Sequence, residues 1–92
     1  MNKNVYIFQG ERATFSSAVF SNIVQATEWI EKNNLSGILT EYILDYPVYD
    51  WAVDQGYFKP KSEIDCSSQF IGRFSSAYQK HWHYIHGKTE QE

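Results

Sequence analysis

The chain has 92 residues, 17% of them aromatic and 21% charged, with a formal net charge of −3 and one cysteine. That length supports one core rather than two and implies a net stability of about 5–10 kcal/mol. The lone Cys66 excludes an internal disulfide, and no stretch reaches the ~18 apolar residues of a membrane span; the acidic balance weighs against nucleic acid, which requires a basic footprint.

Residues 4–9 (NVYIFQ) read as a strand that Gly10 stops. After a polar loop over 10–14, residues 15–20 (FSSAVF) return as a second strand, expected to pair antiparallel with the first. Ser21 or Asn22 then caps a helix, and Asn22 with Gln25 has capping-box spacing. Ile23, Ala26, Thr27 and Ile30 recur along its inner face, with Trp29 beside them. Asn33-Asn34 ends it through a left-handed residue, and Leu35 supplies the apolar contact that accompanies such an end.

Residues 37–45 (GILTEYILD) form the third expected strand. Pro47 favours the first helical position, which predicts a short helix over 47–55 ended by Gly56. Residues 59–66 read as a loop, and Ser67 or Ser68 caps a further short helix carrying Phe70, Ile71 and Phe74. Residues 75–86 admit either a helix or a strand; the alternation His81-Trp82-His83-Tyr84-Ile85 favours a fourth strand. The expected fold is a small α+β single domain over 1–87, with a mostly antiparallel sheet in the order β-β-α-β-α-(short α)-β. The first helix packs on one sheet face, and residues 88–92 are expected to fray.

Residues 41–58 carry six aromatics, four acids and no Lys or Arg. Aromatic bodies bury large areas while Tyr and Trp tips need hydrogen-bond partners, so such a run belongs to a core edge or a recognition surface. Two helical residues two apart lie about 200° from each other, so Tyr49 and Trp51 cannot share a face. Val48, Trp51 and Ala52 are expected inward; Tyr49, Asp50 and Asp54 are expected outward and, with Tyr57, are the candidate partner-binding residues.

Catalytic signatures are lacking. Asp50 and Asp54 lie on one helix face, where two solvated carboxylates disfavour each other by about 0.2–0.5 kcal/mol; a catalytic pair requires separated pKa values. The serine pairs stand as turn or helix punctuation without G-x-S-x-G, and Cys66 lies beside Asp65, which opposes thiolate formation. Tyr6 and Phe8 lack the basic, glycine-containing strand motif of an RNA-binding sheet. His81, His83 and His86 form H-x-H-x-x-H, a weak metal alternative: on a strand the first two face the same way, and imidazole suits zinc or nickel. The alternative is a strand end with polar histidines beside Trp82 and Tyr84. No cofactor is expected.

Several pieces together resemble a known family: VYIFQGE (residues 5–11), VFS (19–21), AxxWI (26–30), LSGxLTxYxLD (35–45), VYDWA (48–52), GYF (56–58), FIxRFSSA (70–77) and HWHY (81–84). On these the chain resembles a family of short, uncharacterised bacterial proteins defined as a domain of unknown function. The resemblance spans nearly the whole chain and implies a compact α+β domain without supplying an activity. Where members carry a small or acidic residue before VYDW, this chain has Pro47.

The expected function is therefore a small, cytoplasmic, non-catalytic protein-interaction module whose aromatic and acidic surface meets a basic partner. A toxin-neutralising, immunity-type protein is one concrete version. The alternative is a metal- or small-ligand-binding domain using His81, His83 and His86. Homodimerisation through exposed aromatics is compatible with either; nucleic acid and membrane partners are not expected.

Overall fold

The computed structural model describes residues 3–90. They sort into two compact units: the described parts of Met1–Leu44 with Gln79–Glu92, and Asp45–Tyr78. The second unit is the connection between the third and fourth strands of the first.

The first unit is a five-stranded antiparallel sheet with one helix. Its strands are β1 (Asn4–Gly10), β2 (Ala18–Phe20), β3 (Gly37–Ile43), β4 (His81–Ile85) and β5 (Lys88–Thr89), and α1 (Ile23–Lys32) connects β2 to β3. The spatial order is β2-β1-β3-β4-β5. The α+β class and the expected order of elements are observed, with β5 added. β2 is shorter than the expected 15–20: only Ala18, Val19 and Phe20 pair with β1, and Phe15 is 80% exposed.

Register sorts the side chains onto two faces. Phe8 stands opposite Leu39, Leu39 opposite Trp82, and Gly37 opposite Tyr84, so these residues share the face that α1 covers. Phe8, Ala26, Ile30, Leu39 and Tyr84 form its buried core, with Tyr6, Phe20, Ile23, Trp29, Leu35 and Trp82 packed around them. Burying each large apolar side chain contributes about 1.5–3 kcal/mol. Trp29 meets Phe8 edge-on at 5.7 Å and Phe20 at 5.6 Å. Tyr6 stands opposite Glu41, whose carboxylate accepts a hydrogen bond from the Asn4 amide. Burial and then that carboxylate push the Tyr6 phenol above its usual range. The opposite face carries Val19, Ile7, Thr40 and His81 in one row, with Ile38 beside His83 in the next.

Helix α1 is fixed by local chemistry at both ends. The Asn22 side-chain oxygen accepts from Val24 N at 2.7 Å and Gln25 N at 3.2 Å. At the other end Asn34 is left-handed (φ 57°), Asn34 N donates to Glu31 O and Leu35 N to Ile30 O, the two bonds of a Schellman motif.

Strands β4 and β5 join through His86 and Gly87, with φ of 50° and 84°, as a two-residue type I′ hairpin requires. Gly87 N donates to Leu35 O at 2.8 Å, and a Cβ on Gly87 would stand 3.3 Å from Asn34 Cα. This turn therefore docks on the end of α1. Lys88 and Thr89, read from composition as the start of a frayed tail, pair with Ile85 and Tyr84, and Glu90 N donates to His83 O. Residues 91 and 92 of that expected tail lie outside the described residues.

The second unit contains α2 (Val48–Asp54), a 3-10 turn (Ile64–Cys66) and α3 (Ser68–Gly72). Pro47 is the residue before α2 rather than its first helical residue, and Gly56 (φ 80°) ends the helix, with Tyr57 N donating to Ala52 O. Ser67 caps α3 through Phe70 N at 3.2 Å. The 3-10 turn falls in the segment expected as a loop; Asp65 braces it by accepting from Lys61 N. Among the described residues no helix is long and apolar enough to cross a membrane.

Candidate functional site

The aromatics of the second unit form two groups on different sides of α2. Tyr49, Phe58, Phe70 and Phe74 form one cluster, with ring centres 5.1–6.3 Å apart. The Tyr49 hydroxyl donates to Asp65 O at 2.8 Å, which satisfies its polar tip inside the cluster. Burial, then Cys66, with smaller contributions from Asp65 and Asp50, raise its phenol pKa. The outward placement expected for Tyr49 is thus corrected. Helical spacing separates Tyr49 from Trp51, both are half-buried, and Tyr49 is drawn into its cluster by Phe70 and Phe74, more than 20 residues further along the chain.

The second group is Trp51, Tyr57 and Tyr78. Trp51 meets Tyr57 at 5.4 Å, and Tyr57 and Tyr78 are stacked with centres 4.1 Å apart and planes 7° from parallel. Tyr57 is 44% exposed and Tyr78 65%. A pair of exposed, stacked tyrosines presents a rigid aromatic surface to solvent.

Of the two acids of α2, Asp54 lies about 60° in helical angle from the ladder's Trp51, whereas Asp50 lies about 100° from both Trp51 and Tyr49. At about 100° per residue, Asp50, Asp54 and Trp51 fall within an arc of roughly 100°, with Tyr49 opposite Trp51. Both carboxylates are exposed. Asp54 is held by the Tyr46 hydroxyl, which donates to Oδ2 at 2.6 Å. That hydrogen bond, then burial, then the charges of Asp54 and Asp50 raise the Tyr46 pKa, because each favours the protonated phenol. In a pH titration followed by ring-carbon NMR, Tyr46 is expected to ionise above free tyrosine, and Asp54→Asn to move it back down. A Tyr46 titration indifferent to Asp54→Asn contradicts the bond.

Of the four residues singled out in the sequence, Asp50, Asp54 and Tyr57 are exposed, and Tyr49 is half-buried in the cluster with Phe58, Phe70 and Phe74. Tyr78 was missed. Its stacking partner lies 21 residues away, and no local spacing signals that contact.

The histidines divide differently. His81 and His83 lie side by side on one sheet face, with ring centres 5.3 Å apart. His86 sits in the β4–β5 turn, where its backbone N donates to Ser36 Oγ. Among the described residues no group of three or more His, Cys, Asp or Glu side chains is arranged to hold a metal ion.

A family model described as a domain of unknown function, DUF7710, matches residues 5–90. The chain belongs to the DUF7710 family. The match takes in both units of this DUF7710 domain, including the aromatic ladder, the acids of α2 and all three histidines. No curated protein matches the chain, and no solved structure does.

Proposed function

We propose that this DUF7710 domain is a non-catalytic protein-interaction module that binds a basic partner through Tyr57, Tyr78, Trp51, Asp50 and Asp54. The observation that carries this reading is the exposed Tyr57–Tyr78 stack, joined through Trp51 to α2, which also bears the exposed Asp50 and Asp54. Rigid aromatic rings lose little entropy on binding and anchor interfaces. An Arg or Lys side chain over a tyrosine face gains cation–π attraction, worth about 0.5–2 kcal/mol. Asp50 and Asp54 add long-range steering and disfavour acidic competitors. The toxin-neutralising version of this reading makes the basic partner a toxin whose active surface the ladder covers.

The test captures partners from lysate of the source organism on the full-length chain and quantifies them by mass spectrometry. Wild type is compared with the double variant Tyr57→Ser/Tyr78→Ser and with Phe15→Ser, which changes an exposed ring in the first unit. A basic protein is expected with wild type and Phe15→Ser and not with the double variant. Once purified, it should bind the double variant more weakly by about 2 kcal/mol or more, the scale of an aromatic hot spot. Equal capture by all three chains overturns the proposal. For the toxin-neutralising version, the wild type must also suppress the captured protein's toxicity and the double variant must not.

A further inference from the structure

The paired histidines of β4 carry an inference independent of the aromatic ladder. His81 Nδ1 lies 2.7 Å from the backbone oxygen of Gln79. A carbonyl oxygen only accepts, so Nδ1 carries the proton and donates it, which leaves Nε2 of the neutral ring with a free lone pair. Metal-ligating histidines are set up in this way, the far nitrogen being oriented by a hydrogen bond from the near one.

The orienting carbonyl is itself held in place. Gln79 is buried, its side-chain amide donates to Glu41 O at 3.2 Å, and Glu41 N donates to Lys80 O at 2.9 Å. His81 is thereby fixed to β3 through two successive residues on its N-terminal side. His83 stands two residues on, on the same sheet face, opposite Ile38. The centres of the two imidazoles are 5.3 Å apart. Two imidazoles sharing a tetrahedral ion at ~2.0–2.1 Å per nitrogen have ring centres roughly 5 Å apart. The observed spacing meets that requirement.

We propose that His81 and His83 form a two-histidine site for a borderline divalent transition-metal ion such as Zn²⁺, His81 binding through Nε2. The remaining coordination positions fall to water or to groups of a docked molecule, since no third ligand of the described residues joins the pair. His86 lies in the hairpin turn and does not join the pair as a third ligand among the described residues. Imidazole nitrogen suits zinc, copper and nickel rather than magnesium or calcium, which prefer oxygen.

The experiment uses the full chain with any affinity tag removed, and Zn²⁺ alone as the probe. Calorimetry is expected to give one ion per chain, with affinity falling roughly tenfold or more in His81→Gln and in His83→Gln and unchanged in His86→Gln. Long-range ¹⁵N NMR of the metal-free wild type should show His81 protonated on Nδ1, and added Zn²⁺ should shift its Nε2 resonance. No binding, binding insensitive to His81→Gln and His83→Gln, binding lost in His86→Gln, or a His81 ring protonated on Nε2 overturns the proposal. The NMR measurement needs no variant, so it stands whether or not the substituted chains fold.

Discussion

Gly37→Ala is expected to destabilise the protein by about 3 kcal/mol, the upper part of the range for forcing extra volume into a packed core. A Cβ at position 37 would overlap the Gln9 backbone oxygen and lie 2.7 Å from the Phe8 ring and 2.9 Å from Gly10 Cα. Two of those neighbours are backbone in the paired strand, so no side-chain rotation relieves the clash. Gly37 stands opposite Gly10 on one side and Tyr84 on the other, and the Phe8 ring lies diagonally across it. The glycine is thus the gap that lets Phe8 lie flat on the sheet beneath α1. Gly72, where an added Cβ meets nothing within 4 Å, is the matched control. Thermal unfolding should place Gly37→Ala roughly 12–24 °C below wild type, at about 4–8 °C per kcal/mol for a domain of this size. Melting of Gly37→Ala and Gly72→Ala at the same temperature contradicts this account of the core.

Phe8→Ala is expected to cost about 3–5 kcal/mol, because a fully enclosed ring is deleted and the cavity collapses only in part. Phe8 is 2% exposed and touches Trp29 across the sheet–helix layer. Against a total stability of about 5–10 kcal/mol, this leaves the variant marginally folded at 25 °C. Urea unfolding followed by tryptophan fluorescence measures the loss. The two substitutions should also couple. Phe8→Ala removes one of the three clashes met by an alanine at position 37, so the double variant is expected to be more stable than the sum of the single losses by 0.5 kcal/mol or more, the threshold at which contacting sites depart from additivity. Additive losses place the strain of Gly37→Ala wholly in the backbone of Gln9 and Gly10.

What the sequence revealed about the fold follows how local each determinant is. The ends of α1 were legible because Asn22, Asn33, Asn34 and Leu35 act on backbone groups within a few residues of themselves. β4 was legible from the alternation of His81 through Ile85, and that alternation also placed His81 and His83 on one face. The β4–β5 hairpin is not signalled in the sequence, because the strong two-residue hairpin signal is Asn-Gly or Asp-Gly and here His86 precedes Gly87. The same turn removes His86 from its expected companions.

The proposed interaction surface was legible in its acids and only partly in its aromatics. Asp50 and Asp54 follow from helical spacing alone. The rings depend on contacts distant in sequence: Phe70 and Phe74 draw Tyr49 into a cluster, and Tyr78 completes the ladder on Tyr57. Spacing shows that Tyr49 and Trp51 face different ways, but the rings that half-bury each of them are partners that spacing does not contain.

The central claim, that the Tyr57–Tyr78 ladder and the acids of α2 bind a basic partner, is tested most directly by NMR. The captured partner is titrated into ¹⁵N-labelled full-length chain, and amide and tryptophan side-chain shifts are followed residue by residue. Shifts concentrated at Asp50, Trp51, Asp54, Tyr57 and Tyr78, with β1 and β3 amides unmoved, are the predicted result. Shifts confined to the sheet, with the ladder unperturbed at saturation, contradict the claim.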